Sequence, residues 1–599
     1  MDGNRTDTES GKFYLHNRLP FPPPQSLYKS ADCFGEAYYS PPFLNHAMSN
    51  HDESFWGWGY AEKFPDSETR RELADRLKAE LGFPSLTLRE PPSIESCDLP
   101  PTTVQPPENI AAFCRTDREA RIRHTYGKAY PDLVRGFRGE FAQAPDVVAK
   151  PETEQQIAEL LSWASAENVA VIPFGGGTSV VGGVEPDFTG SGPISETQGR
   201  GTYRGAVSLS MRGFDQVLEV DPESRRARIQ AGMVGPEINE ALAAHDLQLR
   251  HYPQSYEFST LGGWIATRAG GHFATLYTHI DDFVENIRAV TPAGSIETPA
   301  VPASGAGPAP DRLLLGSEGT FGVITDAWMR VQPRPPHRSR ATVRFDSFSQ
   351  GVAATREIAQ ARLYPANCRL LDPTEALIND LARDGSTLLV LGFESIDHPV
   401  GELLERALSI CEDNGGRCPE GPTHEDRSSS ESVASRDQRG DETEGEWRDS
   451  FFEAPYLFNQ MVSMGVLVET FETATTWDQF FDLHDSLKSE LVATINEVCD
   501  MGVLSCRFTH VYPDGPAPYY TVLAPATVGE ELEQWRAIKS TASDVIRRHG
   551  ATITHHHAVG RVHGDWYRKE MPEQYLEALW SVKRTLDPAA IMNPGVLFD

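Results

Sequence analysis

Two segments of this chain combine residue types that could do chemistry. The first is the run Pro173, Phe174, Gly175, Gly176, Gly177, Thr178, Ser179, Val180, Val181, Gly182, Gly183. Glycines reach positive φ and let successive N–H groups converge on an anion, and the Thr178 and Ser179 hydroxyls add donors, so the run suits a diphosphate. On this reading a side chain at Gly176 would occupy the anion site and strain φ. The run contains no G-x-G-x-x-G leading into a helix and no Gly-Lys-Ser/Thr ending, and a glycine-rich hairpin is the alternative. The second segment is the triplet His555, His556, His557 within Thr552–Arg561. Three consecutive imidazoles cannot share one face of a helix or strand, so at most two point together. They would supply proton donors and acceptors near neutral pH. Zinc is the competing chemistry, but nearby His563 lacks carboxylate or thiolate partners and adjacent histidines make poor ligand geometry. A polar surface loop is the third reading.

The elements that must position these residues are legible in part. Asp146–Pro151 suits a strand, Thr153-Glu154-Gln155-Gln156 reads as a capping box, and Ile157, Leu160, Leu161 and Ala164 recur at helical spacing. The next strand, Val169–Pro173, delivers the glycine run, which makes a β-α-β unit. From Gly205 the pattern is β-rich (Ala206–Leu209, Val217–Val220, Arg226–Ala231), with a helix over Gly235–Ala244 and further strands at Ile287–Val290 and Val323–Val331. Asp187–Gly201 reads as an irregular loop. After Pro333–Pro336, strands alternate with helices such as Thr374–Arg383 and Trp477–Glu497, the texture of an α+β second domain. Tyr519 lies in a strand-like stretch, where a lone tyrosine is commonly a packing residue.

Composition narrows the function classes. A chain of 599 residues can hold several cores, and its 86 acidic against 54 basic residues leave a net charge of -32, which works against nucleic acid. Part of the acidity lies between His424 and Asp449, a solvated insertion. The apolar runs are strand-length, too short for a membrane span, and the N-terminus carries no charged-then-apolar signal, so a cytoplasmic location is expected. The eight cysteines are scattered and read as reduced thiols, mostly buried, with no metal site expected.

Two further small-residue loops, Pro253–Gly271 and Leu315–Thr325, join the first glycine run in a pattern that resembles the FAD-binding domain of the vanillyl-alcohol-oxidase type. Within that superfamily the chain, from Trp56-Gly57-Trp58-Gly59-Tyr60 to Ile591–Gly595, is similar to the alkyldihydroxyacetonephosphate synthase family of ether-lipid synthesis. The resemblance implies an α+β protein: an irregular N-terminal extension (1–140), a two-subdomain PCMH-type FAD-binding domain (141–334), an α+β cap or substrate domain (335–550), and a C-terminal segment (551–599) that returns the histidine cluster to the flavin domain.

It implies FAD contacts from Pro173–Ser179, from Pro253, Gln254, Ser255, Tyr256, Glu257, Phe258 and Ser259, from Ala266, Thr267, Arg268 and Ala269, and from Glu318, Gly319, Thr320, Phe321, Gly322, Val323 and Ile324. Many oxidases of the superfamily bond FAD through a histidine where this chain has Gly177, so dissociable FAD is expected. The family's triple histidine matches His555, His556 and His557. Its proton-accepting and proton-donating tyrosine matches Tyr519, with Tyr520 as the alignment alternative, and an arginine needed for activity matches Arg369. One position departs: Phe458 stands where the family has a substrate-contacting arginine, and a phenyl ring offers neither charge nor a bidentate fork. Either another cation replaces it or the substrate is not acyl-dihydroxyacetone phosphate.

Two functions compete. One is exchange of the acyl group of acyl-dihydroxyacetone phosphate for a long-chain alcohol without net redox change. The other is an FAD-linked dehydrogenase or oxidase of a hydroxy acid or alcohol. A non-enzymatic acidic scaffold is a third reading. The expected partner is a small-molecule or lipid substrate, and a peripheral membrane contact and a homodimer are left open.

Overall fold

The computed structural model describes residues 53–187, 203–273, 275, 277–426 and 455–598. The loop expected over 187–201 and the acidic insertion over 424–449 therefore fall almost wholly outside the described residues.

Sixteen strands form three sheets among the described residues. Strands β1 (Cys114–Arg115), β2 (Val147–Ala149), β3 (Ala170–Phe174) and β4 (Ala206–Ser210) make a small sheet in the order β1-β2-β4-β3. The helix Glu154–Glu167 links β2 to β3, which both pair parallel with β4. The Thr153 hydroxyl accepts from Gln156 N at 3.3 Å, and Ile157, Leu160, Leu161 and Ala164 are all buried, but the expected capping box is only half made, because Gln156 Oε1 accepts from Glu152 N (2.7 Å) instead of the Thr153 N–H. Asn168, left-handed at φ 53°, ends the helix and turns the chain into β3.

A second, antiparallel sheet joins β5 (Val217–Asp221), β6 (Arg226–Gln230), β7 (Val284–Thr291), β8 (Gly294–Glu297) and β9 (Val323–Arg330) in the order β5-β6-β9-β7-β8. One hydrophobic core spans both sheets. The C-terminus belongs to this body: Val171 N donates to Ile591 O (2.8 Å), and Asn593 N donates to Val171 O (2.9 Å).

The third sheet is antiparallel and seven-stranded: β10 (His337–Phe345), β11 (Asn367–Leu371), β12 (Thr387–Ser395), β13 (Thr423–Asp426), β14 (Val466–Glu472), β15 (Val503–Val511) and β16 (Pro516–Pro525). Its order is β13-β10-β12-β11-β15-β16-β14. Helices including Phe348–Gln360, Phe480–Cys499 and Glu531–Arg548 pack against it to form the largest core. The helix expected over Thr374–Arg383 is shorter, Pro373–Ile378, and Asp380 beyond it is left-handed at φ 59°.

The described part of the N-terminal extension is divided between the cores: Val104 and Ile110 lie in the first, and Cys114–Arg115 adds β1 to its sheet, while other residues pack into the second. Trp56, Trp58, Tyr130, Leu133 and Phe137 are buried there. Asn459 clamps the backbone of Trp58 from both sides, accepting from its N–H (2.8 Å) and donating to its carbonyl (2.9 Å). A Cβ at Gly57 would stand 2.6 Å from Asn459 Oδ1, so the glycine lets the clamp close. The seven described cysteines are free, and no described helix is long and apolar enough to cross a membrane.

Candidate active site

A cavity lies between the glycine loops and one face of the seven-stranded sheet. On the loop side it is lined by Gly175, Gly176, Gly177, Thr178, Ser179, Pro253, Gln254, Ser255, Ser259, Thr267 and Ala269. Bare backbone is required there. A Cβ at Gly175 would sit 2.3 Å from Thr260 Oγ1, and one at Gly176 would sit 1.9 Å from the Phe258 carbonyl oxygen. Gly177 holds φ at +64°, and its Cβ would meet the Phe174 ring at 2.6 Å. The reason expected for Gly176 therefore needs correcting: the left-handed strain belongs to Gly177, and a side chain at Gly176 is excluded by the backbone of the second loop. The interlock keeps two loops flush and free of side chains, as a diphosphate cradle requires. It fits FAD, and with glycine at 177 that position has no side chain through which to bond it.

The remaining residues expected at the flavin stand outside the lining, each with a partner of its own. Pro173 and Phe174 end β3, with the Phe174 ring against His124. Tyr256 donates to Gly235 O (2.8 Å), Glu257 pairs with Lys63 (2.5 Å), and Phe258 packs on Tyr60 and Tyr456. Arg268 binds Asp281 (2.8 Å), and the Ala266 carbonyl accepts from Glu318 N (2.8 Å). The Glu318 carboxylate accepts from the N–H groups of Val559 and Gly560, both at 2.9 Å, and burial pushes its pKa up to about 7. Thr320 and Phe321 are buried, Gly322 abuts the Val290 carbonyl and Gly319 the Pro173 ring, and Val323 and Ile324 begin β9. Glu318–Ile324 thus anchors the segment after the histidines.

The opposite wall is set by strand register. Glu472 on β14 stands across from Tyr519 on β16, and Tyr519 across from Arg507 on β15, one row over three strands. Strand alternation separates the two tyrosines. Tyr519 lines the cavity, while Tyr520 turns into the core, stacked on Phe471 and hydrogen-bonded to His484 Nδ1 at 3.2 Å. The Arg507 guanidinium lies 4.0 Å from the centroid of the Tyr519 ring.

Glu472 also shapes the histidine loop. Its buried carboxylate accepts from the backbone N–H groups of His555, His556 (3.0 Å) and His557 (2.8 Å), and from Thr554 Oγ1 (2.8 Å). Burial alone would raise its pKa, but the surrounding histidines and their N–H groups hold it well below the ordinary value. Because these residues form a bend and no regular element, the rings can converge. His556 and His557 line the cavity, with ring centroids 6.1 and 5.4 Å from that of Tyr519. His555 lies behind them, its Nε2 sharing a 2.7 Å hydrogen bond with the Tyr512 hydroxyl and its Nδ1 3.0 Å from His556 Nδ1.

Burial lowers every one of these imidazoles, to about 3 for His555, about 4 for His557 and well below the ordinary value for His556. They are neutral near pH 7 and able to accept protons. Burial raises Tyr519, and the Arg507 charge opposes that rise.

Sequence reasoning missed Glu472, Arg507, His279 and His510. His510 is fully buried, with its Nε2 unpartnered, and His510, His555 and His556 bring ring nitrogens within 4.8 Å of one another. His279 Nε2–H donates to the His555 carbonyl (3.0 Å). Strict alternation would send Arg507 and His510 to opposite faces. A β-bulge between Phe508 and His510 brings both to the cavity, and nothing in the sequence marks it. Gly270 joins the two walls: a Cβ there would meet His556 Cβ at 3.1 Å and His510 Cε1 at 3.2 Å. Arg369 and Phe458 also line the cavity.

Comparisons with known proteins agree with this geometry. Residues 145–298 match the model of the FAD binding domain, and residues 334–597 that of the FAD linked oxidases, C-terminal domain. The chain is 30% identical to an alkyldihydroxyacetonephosphate synthase of Caenorhabditis elegans over 516 residues, 82% of this chain and 83% of that one. It is 29% identical to that of Dictyostelium discoideum over 547 residues, 87% of this chain and 86% of the relative. A solved alkyldihydroxyacetonephosphate synthase structure superposes with a TM-score of 0.72 at 25% identity, covering 90% of this chain and 98% of that one.

Proposed function

Because the chain belongs to the alkyldihydroxyacetonephosphate synthase family of FAD-linked enzymes, we propose that it exchanges the acyl group of an acyl-dihydroxyacetone phosphate for a long-chain alcohol, a step of ether-lipid synthesis. The fatty acid leaves, the alcohol oxygen takes its place on the same carbon, and no net electrons are transferred. We assign 141–334 to FAD, 335–550 to the substrate and 551–599 to the histidine segment, and place the enzyme in the cytoplasm. When bound, FAD supplies an isoalloxazine ring that can share electron pairs with the substrate carbon. Gly175–Ser179 and Pro253–Ser255 would hold it from the loop wall.

The observation that carries the reading is the buried Tyr519 beside neutral His556 and His557, opposite a side-chain-free cradle. Exchange without redox change needs protons taken from and returned to the substrate inside a dry site. Tyr519 accepts and returns a proton, with Arg507 easing the burial penalty on its anion. His556 and His557, kept neutral by burial, stand beside the Tyr519 ring to pass the proton on without storing it, and Glu472 fixes their loop.

The test is to mix the FAD-loaded enzyme anaerobically with palmitoyl-dihydroxyacetone phosphate and hexadecanol, and separately with glycolate or D-lactate, following the flavin absorbance and the lipid products. Ether product with release of palmitate is expected. Rapid, complete bleaching by a hydroxy acid with no ether product would transfer the enzyme to the dehydrogenase class.

A further inference from the structure

We propose that His555 and Tyr512 form a proton relay that carries the proton released in each turnover from His556, in the cavity lining, to solvent at the hairpin between β15 and β16. The relay rests on the synthase reading only for the origin of that proton.

The exchange leaves one proton over. The O–H bond of the alcohol and the ester C–O bond break, an ether C–O bond forms, and near pH 7 the fatty acid departs as its carboxylate. The proton given up by the alcohol must then leave the buried site. Tyr519 returns what it takes, and burial holds His557 at about 4 and His556 well below the ordinary value, so neither imidazole keeps a proton.

Among the described residues, one path of side chains leads outward from His556. Its Nδ1 lies 3.0 Å from His555 Nδ1, and His555 Nε2 lies 2.7 Å from the Tyr512 hydroxyl. Tyr512 is partly exposed, and Pro513 and Asp514 after it are exposed. The Thr278 side chain, next to exposed Tyr277, also hydrogen-bonds to that hydroxyl. His510, the other imidazole beside this pair, ends in the core: its Nδ1 meets Thr509 Oγ1 at 3.2 Å, and its Nε2 is buried without a hydrogen-bond partner.

Both relay residues are held in place. Glu472 accepts from the His555 N–H, and His279 Nε2–H donates to the His555 carbonyl at 3.0 Å. Tyr512 N donates to Gly515 O (2.8 Å), and Trp477 Nε1 donates to Tyr512 O (3.1 Å). A Cβ at Gly515 would stand 1.9 Å from the Thr475 carbonyl oxygen, so glycine lets the hairpin close there.

The transfer balances. With His556 protonated at Nδ1 and His555 at Nε2, a proton arriving at His556 Nε2 sends the Nδ1 proton to His555 Nδ1. His555 Nε2 then gives its proton to the Tyr512 oxygen, and Tyr512 gives its own to solvent, so one proton enters and one leaves. Neutral imidazole and phenol each offer one donor and one acceptor, as this requires. Burial supplies those neutral forms, holding His555 at about 3 and pushing Tyr512 up to about 12.

The experiment measures ether formation by the FAD-loaded enzyme from palmitoyl-dihydroxyacetone phosphate and hexadecanol. Tyr512→Phe removes one oxygen and should retain FAD and the KM for the ester while lowering kcat about tenfold to hundredfold, the lower part of the range for proton-transfer groups. Tyr512→His, whose ring can pass a proton, should recover part of that loss, and added imidazole should raise kcat in Tyr512→Ala. A tyrosine that only packs would be replaced by neither. Wild-type kcat in Tyr512→Phe, or a loss that neither histidine nor imidazole repairs, would overturn the relay and leave the synthase reading intact. Flavin bleaching by glycolate with no ether product would overturn the synthase reading. Oxidising a hydroxyl to a carbonyl also frees a proton, so bleaching slowed by Tyr512→Phe and restored by imidazole in Tyr512→Ala would keep the relay, and bleaching indifferent to both would overturn it too.

Discussion

The two walls of the cavity are built by opposite means. The loop wall is made of short loop segments, Gly175–Ser179 and Pro253–Ser255 with Thr267 and Ala269, and the value of the first lies in side chains it lacks. The sheet wall gathers Arg369, Arg507, His510, Tyr519, His556 and His557 from three strands and a C-terminal bend, and its value lies in side chains that meet. The loop wall can hold a group by shape and backbone donors. The sheet wall can move protons. Damage to the first should therefore remove the cofactor, and damage to the second should spare the cofactor and slow the reaction.

The largest effect is expected from Gly176→Val. The branched side chain would collide with the Phe258 carbonyl, already 1.9 Å from a bare Cβ, and backbone cannot step aside cheaply. Protein purified without FAD, judged from the ratio of flavin to protein absorbance, is the expected result. Stoichiometric flavin would erase the difference between the walls.

Tyr519→Phe and His556→Ala should keep full FAD yet lower turnover by about 10²–10⁴-fold, the range for a positioned acid or base. Loss of flavin with either change would mean that the sheet wall also holds the cofactor. Wild-type turnover with intact folding would make both residues packing groups.

Glu472→Gln should act through the histidine loop. The neutral amide presents one oxygen where two now accept from three N–H groups, so the rings shift, and turnover should fall by up to about 10²-fold with FAD retained. An unchanged kcat would show that the bend holds its shape without the carboxylate.

The smallest effect is on acid stability. His555 and His557 have folded-state values of about 3 and about 4, below the ordinary 6.5. The stability tied to their neutral forms is complete above pH 6.5. It declines as the unfolded chain takes up protons the folded chain refuses, and is gone once pH has fallen through about 4 for His557 and about 3 for His555. Each imidazole withdraws at most about 1.4 kcal/mol per pH unit in that window. Urea unfolding at about pH 7 and about pH 5 should show a smaller loss for His557→Asn than for wild type. Identical losses would mean that the imidazole is hydrated in the folded state.

The glycine loops, the helix before β3, the strands of the flavin domain and the histidine triplet were legible in the sequence, because each is a local pattern. Apolar spacing, a Thr153 cap and the absence of Cβ atoms act over a few residues; the helix runs Glu154–Glu167 as its spacing predicts, whereas β7 extends to Val284–Thr291, twice the expected length, and β8 was not expected. The reason for Gly176 was not legible, since its obstacle is the Phe258 carbonyl, 82 positions along the chain. Choosing between Tyr519 and Tyr520 required the register of β16 against β14 and β15, because alternation separates neighbours without saying which face meets the cavity. Arg507 and His510 share a wall through a bulge that no residue type announces, and Glu472 meets the histidines from more than 80 positions away. Backbone conformation follows from short-range sterics that a sequence records. The meeting of charges follows from strand pairing and bends over long separations, and that the tertiary structure alone decided.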